Sequence, residues 1–229
     1  MGNMWKWNFD SNREGVTPPE LEVILGDWVV RADSTAPSAP NILAQVATFP
    51  EGIHFPRCLV KDFQLADLRM SVKFKPISGE CDQGGGLVFR LQDPQNYYVL
   101  RANALDDFAL FKCVNDQRWP VKRYYVRSDE WQTIMVECRG PFISGYWNDR
   151  LLIEVRDETF AAGRVGLWTI SDSVKTAQRP ESEAGFSTSL ATRANSSTVP
   201  KLSRFAMWSR KEPLPAAHLL LKLDSSSSN

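Results

Sequence analysis

An all-β sandwich of two antiparallel sheets, with an irregular C-terminal tail, is the fold class this sequence predicts. Short runs between residues 68 and 170 alternate apolar and polar side chains or are continuously apolar. Turn-forming residues separate these runs at short, regular spacing, and helical periodicity is absent from the stretch. The 229 residues, 43% of them hydrophobic, suffice to bury a sizeable core.

Taken in order, Trp5-Lys6-Trp7-Asn8-Phe9 alternates like an edge strand, and Gly26-Asp27-Trp28-Val29-Val30-Arg31 reads as a short strand. Pro-rich loops follow each of them, at Thr17-Pro18-Pro19 and Ala36-Pro37-Ser38-Ala39-Pro40. Leu68 to Lys75 has apolar residues at even positions and polar ones at odd positions, which puts one face in a core and the other in water. Gly84-Gly85-Gly86 opens the next strand, and Asp93-Pro94-Gln95-Asn96 turns it into Tyr97–Ala102. Glycine at a strand start permits a bulge or a close backbone approach. Asp106-Asp107 separates that strand from Phe108–Val114, and Asn115-Asp116 is another tight turn. Trp131–Cys138 is the next strand. Phe142–Trp147, Asn148-Asp149-Arg150 and Leu151–Val155 then make a hairpin, and Gly163–Thr169 is the last clear strand.

Composition changes near Val174. Of the 27 Lys+Arg and 27 Asp+Glu, residues 1–174 hold 19 and 23, and residues 175–229 hold 8 and 4. Net charges of −4 and +4 therefore cancel to the formal net charge of zero. Two parts are expected: a sandwich over 1–174, and a basic, Ser-rich tail over 175–229 that is irregular or partly helical. Within the tail, Ala216-Ala217-His218-Leu219-Leu220-Leu221 could form one apolar turn of helix.

The zero balance disfavours nucleic acid or an anionic membrane as the main partner, since both select basic surfaces. No stretch approaches the apolar length of a membrane-spanning helix. The two histidines, His54 and His218, exclude a His-rich metal centre and make a His-based triad a poor reading. Cys58, Cys81, Cys113 and Cys138 form no C-x-x-C pair, and free buried thiols are preferred to disulfides. The MGNMWKWNFD start has no apolar leader core, and Lys6 stands where a myristoylation motif wants Ser or Thr. No signal peptide is expected in this chain.

The segments Trp7-Asn8-Phe9-Asp10, Gly26-Asp27-Trp28, Asp82–Arg90, Asn96-Tyr97-Tyr98, Arg101-Ala102-Asn103 and Gly166-Leu167-Trp168-Thr169 recur in this order in one group. Over about residues 5–174 the chain resembles bacterial concanavalin A-like, laminin-G-like jelly-roll domains. The group includes the domain of unknown function later named for 3-keto-disaccharide hydrolysis, and its members are often labelled family 16 glycoside hydrolase-like. The resemblance implies two packed sheets, one concave, a carbohydrate ligand, and an extracellular or periplasmic setting. Family members usually continue into a Phe-Asp-Asp strand that closes one sheet beside the N-terminal strand. Here Ser171-Asp172-Ser173-Val174 is followed by Lys175-Thr176-Ala177-Gln178-Arg179-Pro180, so that closing strand is expected to be missing and a sheet edge left open.

No glycosidase motif is recognisable. A retaining enzyme needs two carboxylates about 5–5.5 Å apart. Glu154-Val155-Arg156-Asp157-Glu158 has its Asp at the wrong spacing, and a solvated strand end is the preferred reading. Glu80, Asp82, Asp106 and Asp107 lie at hairpin ends, where Asp caps turns; calcium is a weaker option for them, and no cofactor is otherwise expected.

The expected register is more informative. A compact turn over Asp93–Asn96 puts Arg90 opposite Arg101 and Val88 opposite Asn103. A two-residue turn at Asp106-Asp107 puts Lys112 opposite Arg101. One face then carries Arg90, Arg101 and Lys112 with Asn103 nearby, while Phe89, Leu100, Ala102, Phe111 and Cys113 form a core layer. Like charges set opposite one another cost about 0.2–1 kcal/mol per pair, so carboxylates must neutralise the row or a ligand must use it. With Tyr97, Trp147 and Trp168, these donors suit the hydroxyls and flat C–H face of a sugar. The reading is a carbohydrate-binding module, leaning against catalysis. Its alternatives are an enzyme cleaving 3-keto or related glycosides, with Asp82, Asp107 or Glu137 as base and Arg90 or Arg101 as oxyanion stabiliser, or a structural protein–protein module.

Overall fold

The computed structural model describes residues 4–37, 40–49, 52–76, 82–104, 107–126, 130–170 and 218–224. Every regular element among them is a β-strand, and all the pairings are antiparallel. The first sheet runs β13 (Arg150–Arg156), β12 (Phe142–Trp147), β11 (Gln132–Arg139), β6 (Leu68–Lys75), β15 (His218–Asp224), β4 (Asn41–Gln45), β3 (Trp28–Ala32). Strand β1 (Met4–Lys6) also pairs with β15. The second sheet runs β10 (Gln117–Tyr125), β9 (Asp107–Val114), β8 (Asn96–Asn103), β7 (Gly84–Asp93), β14 (Gly163–Thr169), β5 (Arg57–Leu65), β2 (Leu21–Leu25). The chain is the antiparallel sandwich its alternation predicts.

The sheets pack through a core drawn from both, including Trp28, Phe74, Phe89, Leu100, Phe108, Ile134 and Ile153. Strand β6 shows the cause: its even residues are buried and its odd ones outward, as the sequence alternates. Trp28 is fully buried and donates its indole N–H to the Leu25 carbonyl at 3.0 Å, so burial leaves no orphaned donor there. The hairpin turns at Asn115-Asp116 and Asn148-Asp149 have positive φ at both residues, the conformation that matches strand twist and that Asn and Asp tolerate.

Four strands escape the periodicity argument: β2, β4, β5 and β10. Strand β4 is buried at all five residues, so it has no polar face to alternate with. Strand β10 contains Pro120, which reads as a breaker; at the sheet edge, where the register shifts between Pro120 and Lys122, it is tolerated.

The C-terminal segment corrects two expectations. Residues 218–224 are a strand, not a helical turn, and they fill the closing position expected to be empty. Leu221 lies opposite Val72 of β6, Leu219 opposite Leu43 of β4, and Asp224 opposite Met4 of β1. An apolar Leu run serves helix or strand; unpaired backbone on β6, β4 and β1 decides for strand. Residues 171–217, which hold the rest of the expected irregular tail, lie outside the described residues, as do Cys81, Glu80 and Asp106. Cys58, Cys113 and Cys138 are free and buried, as preferred from sequence.

Candidate functional site

A second apolar cluster lies on the second sheet alone. Leu59, Val88, Tyr97, Val99, Ala109, Phe111, Cys113 and Trp168 come from β5, β7, β8, β9 and β14, and none belongs to the inter-sheet core. They mark the sheet's outer face. Alternation along β8 sends Tyr98, Leu100 and Ala102 into the core and Tyr97, Val99, Arg101 and Asn103 to this face.

Register assembles a row across six strands of the face. Arg57 lies opposite Trp168, Trp168 opposite Gly86, Gly86 opposite Arg101, Arg101 opposite Ala109, and Ala109 opposite Arg123. Gly86 is required by close approach, because a Cβ there would stand 2.1 Å from the Leu100 carbonyl oxygen. At Gly84, two residues along, a Cβ would lie 3.3 Å from Ile170 Cγ2 and 3.6 Å from Arg101 Nη1. The two glycines form a strip without side chains of its own, itself buried, between the Trp168 side and the Arg101 side of the face.

Charge and aromatic rings are interleaved around that strip. Asp107, fully buried, forms ion pairs with Arg101 Nη1 at 3.0 Å and Arg123 Nε at 2.6 Å. The Phe111 ring has the guanidinium carbons of Arg101, Arg118 and Arg123 at 5.1, 4.8 and 5.7 Å from its centroid. Arg118 also lies 4.5 Å over Phe55, which stacks on Trp168 at 5.4 Å, and Arg57 lies 5.0 Å over Tyr97. Asn103 donates its amide to Asp82 and accepts the Gln83 N–H at 3.1 Å. Burial pushes the Tyr97 phenol up to about 12, so it stays a neutral donor and acceptor at physiological pH.

Three buried donors on the row have no hydrogen-bond acceptor among the described residues: Arg57 Nε, Arg101 Nε and Trp168 Nε1. Arg101 is 4% exposed and Trp168 is 0% exposed, so bulk water does not serve these groups.

The expected cation row does not exist. Gly86, not Arg90, faces Arg101; Gly84, not Val88, faces Asn103; Lys112 faces Tyr98. The Asp93–Asn96 turn is compact, but between Phe89 and Asp93 the β7 register shifts, and Arg90 sits there with φ 47°. Its guanidinium, wholly buried, donates to the carbonyls of Ala66, Phe160 and Gly140 at one end of the sandwich. Asp107 opens β9 instead of turning, which slides the β8–β9 pairing by three residues and moves Lys112 to the opposite face. The same slip puts Phe111 and Cys113 on the outer face instead of in the core layer.

Lys112 pairs with Asp157 at 2.6 Å and donates to Thr159 Oγ1 at 2.9 Å. Tyr98 also donates to Asp157. Burial raises the Asp157 pKa, but the hydrogen bonds from Lys112, Thr159 and Tyr98 outweigh it and hold the carboxyl well below the usual range. Trp147 is on the first sheet, opposite the core residue Ile134, and donates to Gln132 Oε1 at 2.6 Å.

Of the seven residues predicted to bind ligand, Arg101, Asn103, Tyr97 and Trp168 are brought together, whereas Arg90, Lys112 and Trp147 serve elsewhere. The reading missed Arg57, Arg118, Arg123, Phe55 and Phe111. A correct β8–β9 register would have found Phe111 and Arg123; nothing local marks Arg57 or Phe55.

The weaker carboxylate candidates are occupied. Glu158 pairs with Arg156, and Asp157 with Lys112. Glu137 pairs with Arg139, and Asp107 is shared by two arginines. Among the described residues no group of three or more His, Cys, Asp or Glu is placed to hold a metal ion. A groove of about 490 Å³ beside β5 is lined by Glu22, Lys61, Asp62, Phe63, Gln64 and Arg164. Its Glu22 and Arg164 pair with each other, and Phe63 is engaged edge-on by Trp5 and Trp7.

The geometry is that of a concanavalin A-like jelly roll. No protein-family model matches the chain, and no curated protein matches it in sequence. Among solved structures it is similar to the carbohydrate binding module CBM66 from Bacillus subtilis, at TM-score 0.54 and 19% identity, covering 67% of this chain and 92% of that one. A β-glucanase from Bacillus licheniformis aligns over 99% of both chains at TM-score 0.57 and 9% identity. The catalytic domain of a Thermotoga petrophila endo-1,3-β-glucanase aligns over 100% of both at TM-score 0.53 and 7% identity. These likenesses are likenesses of fold.

Proposed function

We propose that this chain is a carbohydrate-binding module whose sugar site is the outer face of the second sheet. The observation that carries the reading is the gathering of Arg101, Asn103, Tyr97 and Trp168 on that face, joined by Asp82, Asp107 and Arg123. Forked guanidinium and amide groups match vicinal hydroxyls, and aromatic rings match the C–H face of a pyranose or furanose. The jelly-roll neighbours include a carbohydrate-binding module and two glucanases, which supports the same ligand class. Zero formal net charge supports a partner other than nucleic acid.

Binding is favoured over bond cleavage because Asp107, the carboxylate in the centre of the face, is engaged by two guanidinium groups rather than poised over open space. Calorimetric titration of the full chain against a panel of oligosaccharides tests the reading. At least one sugar class binds, and Arg123→Ala, which removes the half-exposed partner of Asp107, weakens it about tenfold, or about 1.4 kcal/mol. Trp147→Phe, on the other sheet, leaves affinity unchanged. A panel with no binder, or an Arg123→Ala protein that binds as the wild type does, overturns the proposal. Release of free sugar from 3-keto-disaccharides would instead favour the glycoside-cleaving alternative.

A further inference from the structure

The hydrogen-bond account of the outer face has an imbalance that an ionised oxygen repairs more strongly than a neutral one. Arg57 Nε, Arg101 Nε and Trp168 Nε1 are buried donors without an acceptor among the described residues, and all three residues lie on the single row that crosses Gly86. Neither an indole nor a guanidinium can accept, so the row offers protons and nothing else. A hydroxyl accepts as a neutral group and brings a proton of its own to be satisfied. An ionised oxygen brings acceptors alone and forms the stronger, charge-assisted bond.

Charge points the same way. Four guanidinium groups, from Arg57, Arg101, Arg118 and Arg123, stand over the rings of Tyr97, Phe55 and Phe111. Asp107 is the carboxylate that the described ion pairs place among them, and it is shared between Arg101 and Arg123. Arg101 keeps only 5% of its side chain exposed. In such a site a charge is poorly screened, and an anion of the ligand interacts more strongly than it would at an open surface.

We infer that the outer face selects an anionic sugar, with a carboxylate or sulfate-ester oxygen received by the donors of Arg57, Arg101 and Trp168 above the Gly84–Gly86 strip. This rests on the sugar-binding reading of the same face and names the class of sugar. A Cβ at Gly84 would lie 3.6 Å from Arg101 Nη1, so a side chain there would crowd that guanidinium. Trp168 acts as a donor beside the cations while its ring stacks on Phe55.

The test is calorimetric titration of the full chain with matched pairs: trigalacturonate against galactotriose, and a sulfated galactose oligosaccharide against its unsulfated parent. The expected result is that the acidic member binds about tenfold more tightly and that the advantage shrinks as salt is raised. Preference for the uronate that fades as pH falls through the sugar's own carboxyl pKa identifies a carboxylate ligand; preference for the sulfated member over its parent that persists at that pH identifies a sulfate ester. Trp168→Phe keeps the aromatic bulk and removes the N–H. It lowers affinity for the acidic sugar about fivefold. Gly84→Ala places a methyl 3.6 Å from Arg101 Nη1 and weakens the acidic sugar as well. Equal binding of acidic and neutral members, or a Trp168→Phe protein that binds the acidic sugar as the wild type does, overturns the inference. Binding of neutral sugars alone overturns this inference and leaves the sugar-binding reading standing; silence toward every sugar, acidic and neutral, overturns both.

Discussion

Arg90 and Arg101 are both buried arginines on adjacent strands of one sheet, and their hydrogen-bond accounts are opposite. Arg90 spends its donors on three backbone carbonyls at the end of the sandwich. Arg101 shares one carboxylate with a neighbour and keeps a buried N–H without an acceptor. A buried cation with every donor satisfied closes a structure; one with a donor left over leaves room for something else to complete it. Burial alone does not distinguish these two arginines. The count of acceptors does.

The largest effect that would sharpen this contrast is at Arg90. Arg90→Met strips three buried carbonyls of a charged donor and should cost about 3–5 kcal/mol of stability, read from denaturant midpoints. If the variant is as stable as the wild type, the assignment of Arg90 to structure fails. Next comes Gly86→Ala, which forces β7 and β8 apart at the Leu100 carbonyl and should cost about 1–3 kcal/mol. Its sugar affinity should fall as well, because the row it displaces is the proposed site.

Smaller effects belong to the Lys112–Asp157 pair, which is only partly shielded. Asp157→Asn should cost about 1 kcal/mol near neutral pH. The sign of its pH dependence follows from a folded-state pKa that lies below the unfolded one. The carboxylate contributes fully above the unfolded value near ~4 and loses that contribution as pH falls through the lower folded value. The midpoint difference between wild type and Asp157→Asn should therefore close on acidification; a difference that grows would contradict the pairing. Smallest is thiol reactivity at the Arg90 end. Burial pushes Cys138 up to about 12, so native alkylation followed by mass spectrometry should leave it unmodified. Cys138 should become labelled in Arg90→Met, because that change opens the same end of the sandwich.

Much of the fold was legible because a half-buried strand announces itself. The alternation of Leu68–Lys75 and the Asn-Asp turns were visible as residues, and they formed as read. Strand β4 was not, since both of its faces are covered and its sequence has no period to read. The β15 strand was not either: a three-leucine run has no local preference strong enough to choose its state, and the open edges of β6, β4 and β1 choose it.

The site was half legible. Arg101, Asn103, Tyr97 and Trp168 were named from their residue types and β8 parity. Arg90 and Lys112 were assigned to the same face through registers that two local events displaced, the positive φ at Arg90 and the entry of Asp107 into β9, while Trp147 was named for its aromatic ring alone and lies on the other sheet. A slip of an odd number of residues exchanges the two faces of a strand, so one misjudged loop moved Lys112 out of the site and left Phe111 in the wrong layer.

By itself the sequence determined the class of fold, the positions of most turns and the free state of Cys58, Cys113 and Cys138, because these follow from local pattern and composition. Tertiary structure alone decided which arginine is structural and which is left with a donor to spare. That choice depends on where carbonyls, carboxylates and glycines from six separate strands come to rest, and no local run of residues encodes it.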